Sequence, residues 1–281
     1  MNTQGKAAVL PDYERPPIVE TVLGVQFDAL PEFKNAHLGA FWKSLEPEGW
    51  PSVYDAPPLE PQFERFSETG GWSKSSVELR LAQTMPSRLQ IKNEPGDQMI
   101  QVQNGRLHFN WLGQAGGQYP RWPEVREGFS DTLSHFIEFV SVEQLGDFHA
   151  NQWEVTYLNH IPKGSVWLTP DDWGFFNLLS RGPKVHDLIQ AESFSGTWQF
   201  IIPEKRGRLH IQWQHGLRTQ PQEEEVVILT LTARGPLPQG PDGFGAILQG
   251  LDLGHETIVR SFAIMMTDPA NEHWGLKHAS L

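Results

Sequence analysis

A chain of 281 residues with 38% apolar content is long enough for one large domain or two of roughly 100–150 residues. Its 34 acidic against 22 basic residues leave a formal charge of -12, so the average surface repels phosphate backbones and anionic lipid, and nucleic acid is not the expected partner. The absence of cysteine excludes disulfides, thiolate zinc sites, iron–sulfur ligation and a cysteine nucleophile together. No stretch approaches the roughly 20 apolar residues of a membrane helix, and MNTQGKAAVLPDYERPP lacks a signal-peptide core; a cytoplasmic protein without membrane attachment is expected.

Residues 1–16 carry no period and are expected to form a flexible arm. In PPIVETVLGVQFDAL the chain becomes a strand: Val19, Thr21, Leu23, Val25 and Phe27 share one face, Glu20 and Gln26 the other. The period then changes to helical in LPEFKNAHLGAFWKSL, with Pro31 at the start and Phe33, His37, Ala40, Phe41 and Ser44 along one side. A proline-rich connection leads to a meander through VELRLA, SRLQIKN, DQMIQVQ and RLHFNWL, the last two joined by an Asn104-Gly105 hairpin turn. GQAGGQYP lacks the Lys-Ser/Thr of a phosphate loop and reads as a connection. From Trp122, Val125, Phe129, Leu133, Phe136, Ile137 and Val140 recur at helical spacing.

The second half follows the same order: a strand in QWEVTYLNHIP, a loop and short helix around TPDDWGFFNLLS, strands at VHDLIQAES, TWQFIIP, RLHIQWQ and EEVVILTLTA, and a final helix over about 242–267. The expected fold class is therefore α+β, two tandem related halves, 17–145 and 146–281, each an antiparallel β-meander with flanking helices (β-α-β-meander-α). GRLHFNW at 105–111 and GRLHIQW at 207–213 differ only at Phe109/Ile211 and Asn110/Gln212, which favours an internal duplication. This order resembles the helix-grip and TATA-binding-protein folds, an analogy that carries no function.

The sequence GHETIV opens like a zinc-protease helix, but Val259 stands where the second histidine ligand belongs, so no metal is expected there. His255 instead falls within a stripe of Phe244, Ile247, Leu248, Leu251, Ile258, Val259, Phe262 and Met265, which directs it toward the sheet. Glu256 lies off the stripe, on a solvated face. Ala246, Gly250 and Gly254, four apart, allow close approach of a neighbouring element. Asp268-Pro269 ends the helix, and Trp274 is expected to fold back. Asn159 shares a strand face with Trp153, Val155, Tyr157 and Ile161, so it must find hydrogen bonds among apolar neighbours; His160 lies opposite, with Glu154 and Thr156. His108 and His210 project from the polar faces of their strands, where solvent exposure is expected; related halves would place them equivalently. Lys205, Arg206, Arg208 and Arg218 form the one basic patch, offset by Glu223, Glu224 and Glu225. No G-x-S-x-G elbow, Walker loop, Rossmann fingerprint or kinase motif set occurs.

RPPIVETVLGVQFDAL, YPRW before a helix, YLNHIP and LDLGHETIVRSFAIMMTDPANEHWG, taken in order, resemble a sporadically distributed family of uncharacterised bacterial and archaeal proteins. The likeness runs from about Arg15 to Gly275 and carries over Pro16, Pro17, Glu20, Tyr119, Pro120, Asn159, His255, Glu256, Phe262 and Trp274. Patchy distribution of this kind implies a link to a host-defence or toxin-related system.

With 11 Trp and 16 Phe, acidic charge and no catalytic motif, the leading expectation is a non-enzymatic binding or interaction protein. Its partner would be a protein, a small molecule or a second copy of the chain, and no cofactor is expected. Trp111, Trp213, His108, His210 and Tyr157 are the candidate contacts. The rival reading is an enzyme using His255 with Asn159 or Glu256 as orienter. A saddle-like nucleic-acid binder is a third reading, against which the charge speaks.

Overall fold

In the computed structural model, which describes residues 9–66, 87–113, 118–177, 191–219, 222–238 and 243–277, period-two strands assemble into one nine-stranded antiparallel sheet. The first half contributes β2 (Ile18–Phe27), β3 (Ser52–Ala56), β4 (Arg88–Lys92), β5 (Gln98–Gln103) and β6 (Arg106–Leu112). The second contributes β7 (Ala150–Pro162), β8 (Ser195–Ile202), β9 (Gly207–Arg218) and β10 (Glu224–Pro236). Their order is β3-β4-β5-β6-β2-β7-β10-β9-β8, an α+β architecture. A separate two-stranded ribbon joins β1 (Asp12–Tyr13) to β11 (Leu276–Lys277). The expected strand VELRLA, residues 114–117 of GQAGGQYP and most of VHDLIQAES lie outside the described residues, as does the end of TPDDWGFFNLLS. The described part of that last segment is bends and turns up to an isolated bridge from Phe176 to Met266, with 3-10 helix beginning at Asn177. β3 falls inside what reads as a proline-rich connection, its pattern cut short by Pro51 and Pro57.

One face of the sheet carries the helices. α1 (Asn35–Ser44) begins four residues after Pro31, which is spent in a turn against Gly146; it buries Leu38 and Phe41. α2 (Trp122–Val142) buries Val125, Phe129, Leu133, Phe136 and Val140 as its spacing predicts, leaves Ile137 of the same stripe half-buried, and buries Thr132 and Phe139 in addition, the latter because α1 brings Phe41 to 5.4 Å from it. α3 (Gly243–Met265) buries Ile247, Gly250, Leu251, Gly254, Ile258 and Phe262. Its buried stripe is thus centred on the two glycines, whose missing Cβ atoms leave room for the indole of Trp153. The close neighbour is a side chain, not a second backbone. After α4 (Asp268–His273) the chain folds back, and buried Trp274 packs on Phe262 at 5.5 Å.

Residues 12–16 are not a loose arm. Tyr13 is buried and donates to Asn271 Oδ1 at 2.7 Å, while the Glu14 and Arg15 amides donate to the carbonyls of Gly275 and Trp274. The polar stretch hid one aromatic anchor, and an anchor fixes a terminus when its hydroxyl is also satisfied.

Within each half the first strand pairs with the last, β2 with β6 and β7 with β10, and that last strand leads to the long helix. The counterpart of β6 in this arrangement is β10, yet the repeated Gly-Arg-Leu-His stands on β6 and β9. The repeat therefore does not map onto the topology, and His108 and His210 do not occupy equivalent places. Both motifs open a strand after a tight turn, where glycine followed by alternating residues recurs for local reasons.

The face opposite the helices, which the sequence leaves free to be wet or covered, is largely buried: Gln26, Gln101, Gln103, Arg106, His108, Asn110 and Gln152 are all under 9% exposed. Residues 57–66 run across part of it as a strap. His108 lies over Gly24, its cross-strand neighbour on β2. A Cβ at Gly24 would come within 2.5 Å of His108 Cδ2 and 2.8 Å of Nε2. Alanine ordinarily improves on glycine within a strand by about 0.5–1 kcal/mol, but overpacking a ring that cannot withdraw costs about 1–3 kcal/mol. Gly24→Ala is therefore expected to lower the urea midpoint, and an unchanged or raised midpoint would show that His108 moves freely.

Candidate functional site

The head of α2, the flank of α3, the helix-side face of β7 and the N-terminal segment converge on a cleft of about 210 Å³. Its walls include Pro11, Tyr13, Tyr119, Trp122, Tyr157 and His255. Tyr157 is placed there by strand alternation, and His255 by its position beside, rather than within, the glycine-centred stripe of α3. The imidazole consequently faces α2 as well as the sheet. Trp122 stacks on it, the two rings parallel with centroids 4.3 Å apart.

The polar atoms in this aromatic setting form a relay. Tyr119 and Tyr157 share a hydrogen bond at 3.0 Å, and Tyr157 Oη lies 2.8 Å from His255 Nδ1. Burial pushes the His255 pKa down to about 4, outweighing Asp252, which acts the other way. Burial also raises both tyrosines above their ordinary range. All three groups are neutral near pH 7. Asp252 is held on the far side of the stack: it accepts from Trp122 Nε1 at 3.1 Å and from both Arg126 Nε and Nη2, at 2.7 and 3.0 Å. This bidentate pair fixes the α2–α3 crossing.

The rim is held by Arg121, whose backbone adopts φ 79° and ψ 163°, a region that is essentially glycine's and costs on the order of 1–3 kcal/mol. Its guanidinium donates to Asp12 Oδ1 at 2.8 Å and to the carbonyls of Tyr13 and Glu14 at 2.7 and 3.3 Å. The strained residue thus clamps the N-terminal segment onto the head of α2 and closes one wall.

Of the candidate residues named from the amino-acid sequence, Tyr157 and His255 meet in this cleft. Asn159 does not orient His255: it donates to the carbonyls of Leu229 and Tyr157, at 3.1 and 3.4 Å, and lines a smaller cavity of about 30 Å³ beside Pro17 and Phe262. Glu256 is exposed and paired with Arg260 at 2.9 Å, as its place off the stripe predicts. Trp111 is packed beneath Tyr119 with centroids 5.2 Å apart, and Trp213 lies elsewhere, against Trp198 and Phe176; the two do not form one surface. His108 is buried, and burial brings its pKa to about 4 despite Glu154 at 4.0 Å. The basic patch is dispersed along β9: Arg218 pairs with Glu224 at one end of the strand and Arg208 with Glu64 at the other. Arg121 and Trp122 stand in YPRW and Asp252 in LDLGHE, but nothing in those stretches marks them as site residues, because their partners lie more than 100 positions away in the chain.

Six residues from the sequence stretches RPPIVE, YPRW, YLNHIP and LDLGHETIVRSF, namely Pro16, Pro17, Tyr119, Asn159, His255 and Phe262, line one or other of the two cavities, which share Tyr13, Pro16, Ile18, Tyr157 and Val259 as walls. No protein-family model, no curated protein and no solved structure matches the chain. Among the described residues no helix is long and apolar enough to cross a membrane, and no three His, Asp or Glu side chains gather as a metal-ligand set.

Proposed function

We propose that the protein is a binding protein whose ligand is a small planar molecule held in the Tyr119–Tyr157–His255 cleft. The observation that carries this reading is the neutral hydrogen-bond relay ending in an aromatic-walled cleft: a few convergent polar groups in an apolar setting are what fix a small ligand's orientation. With Nδ1 engaged by Tyr157, His255 Nε2 has no protein partner among the described residues and is left for a ligand. A cleft of about 210 Å³ is below the roughly 300–1,000 Å³ that takes a drug-sized molecule, so one ring with a polar substituent suits it. The clustering of family-like residues around the cavities supports the same place.

The enzyme reading is weaker on the same chemistry. A general acid or base works best with a pKa near the operating pH, whereas burial drives His255 down and both tyrosines up. Neither Asn159 nor Glu256 reaches the imidazole.

Saturation-transfer NMR with benzamide and related flat amides as probes tests the proposal, with the difference in tryptophan fluorescence between wild type and Trp122→Phe as a second readout. Binding is expected for the wild-type chain, with a loss of at least about tenfold in His255→Phe and a smaller loss in Tyr119→Phe, since a net hydrogen bond contributes about 0.5–1.5 kcal/mol. Equal binding by all three chains, or none by a fragment panel of this class, overturns it.

A further inference from the structure

We propose that the polar face of the sheet is a recognition groove for an extended acidic peptide from another protein, a groove filled here by the chain's own residues 59–64. This goes beyond the cleft, which lies on the opposite face. Gln103, Arg106, Gln26 and Gln152 stand in one cross-strand row on β5, β6, β2 and β7. Each of the three glutamines spends both ends of its side-chain amide on the strap's main chain. Gln103 accepts from the Leu59 amide at 2.8 Å and donates to the Leu59 carbonyl at 2.9 Å. Gln26 treats Gln62 the same way, at 3.1 and 2.8 Å. Gln152 accepts from the Glu64 amide at 2.8 Å and donates to the Gln62 carbonyl. Arg106 adds a bond to the Glu60 carbonyl at 3.2 Å. These contacts read backbone and not side chains, the logic by which a sheet edge takes up a peptide strand.

Selection then falls chiefly to one side chain, with Gln62 Oε1 also accepting from Arg234 and the Phe66 ring lying 4.8 Å beneath the Arg208 guanidinium. Glu64, the buried residue of the strap, accepts from Arg234 Nε at 2.6 Å, sits 2.5 Å from His210 Nε2 and pairs with Arg208. Arg234 also meets Glu154 at 3.4 Å, in the cross-strand row beside the glutamines, where Glu154 lies 4.0 Å from the neutral His108 ring, so an ion pair links the anchor to that row. In a chain of net charge -12, this is a place built to receive a carboxylate.

Two features set the strap apart from a permanent cover. Phe63 is 51% exposed and Pro57, Glu60, Pro61 and Gln62 are exposed as well, so the segment buries little apolar surface and belongs to the low-stability end of the molecule. A face meant to stay covered gains nothing from buried charge over a packed apolar surface. A tethered segment competes at an effective concentration on the order of millimolar, so weakening its anchor should open the groove to a peptide added in trans.

The test uses the full chain and a fluorescein-labelled peptide of sequence PPLEPQFERF, followed by anisotropy. Glu64→Gln in the protein is expected to bind this peptide at least about tenfold more tightly than wild type does, and Glu64→Gln in the peptide is expected to abolish binding, as is adding Arg234→Met to the protein. A folded Glu64→Gln protein that binds neither peptide, or both equally, overturns the proposal. A concentration-dependent dimer of that variant with no peptide binding also overturns it, by assigning the groove to a second copy. Should the variant not fold, hydrogen exchange on the wild-type chain decides: Leu59, Gln62 and Glu64 amides opening well before those of β7 support a displaceable strap, and opening only with global unfolding refutes it.

Discussion

Trp153→Ala is expected to lower the stability of the chain by about 3–5 kcal/mol, the range for emptying a buried large aromatic site. Trp153 is 2% exposed at the middle of the sheet, and its indole fills a slot made by four glycines. Cβ atoms added at Gly207, Gly235, Gly250 or Gly254 would each come within 3 Å of it. Two of these glycines lie on α3 and two at the edges of β9 and β10, so one ring joins helix to sheet. Deleting it leaves a void that two backbones cannot close. The complementary experiment has an unusual sign: Gly→Ala inside a helix ordinarily stabilises by about 1 kcal/mol, but Gly250→Ala is expected to destabilise, because its new methyl meets the indole. Urea unfolding of the two variants checks both statements. A stabilised Gly250→Ala chain would show that the helix shifts off the ring at little cost.

Acidification between about pH 6.5 and 4 is expected to remove several kcal/mol of stability in two nearly equal parts. His108 and His255, in separate places on opposite faces of the sheet, are both held near pKa 4 by burial against an unfolded value of about 6.5. In this window the unfolded chain binds protons that the folded chain refuses, so stability is full above pH 6.5, falls as pH drops and levels off below 4. At about 1.36 kcal/mol per unit, each histidine accounts for at most roughly 3 kcal/mol. Burial beside Arg218 pushes His160 the same way. Glu64 acts in a lower window. Burial raises its pKa, but hydrogen bonds and charge from His210 and Arg234 prevail and hold it to about 2, so its stabilisation is present above pH 4.5 and lost toward pH 2. Urea unfolding at pH 7.5, 5.5 and 4.5 should therefore lose about one proton's worth of slope in His108→Gln and again in His255→Gln. Curves parallel to wild type would mean that both imidazoles are protonated in the fold.

Much of the fold was legible because it is written in local period. Leu107, Phe109 and Trp111 alternate with Arg106, His108 and Asn110, and the structure keeps the two sets on opposite faces; the core positions of α2 recur at helical spacing and are buried as such. The site was legible only in pieces. Tyr157 and His255 could be singled out as polar groups amid apolar neighbours, but their meeting depends on Trp122, 133 residues before His255 in the numbering, and no local pattern links them. The same holds for the strap. PPLEPQFERF looks like a polar connection, and nothing in its ten letters says that three glutamines from other strands will bond its backbone.

The sequence by itself determined the α+β class, the alternation that divides apolar from polar faces, the amphipathic stripe of α2 and the exclusion of thiol chemistry, since these depend on neighbours within a few residues. Tertiary structure alone decided strand order, which separated the two Gly-Arg-Leu-His strands from any equivalence, and the side of α3 to which His255 turns. It also decided that the polar face of the sheet would be buried rather than wet. Solvation is a property of what lies above a surface, and a polar side chain is as content with a glutamine-clamped backbone or a guanidinium as with water, so the alternation that assigns a residue to a face says nothing about what covers it.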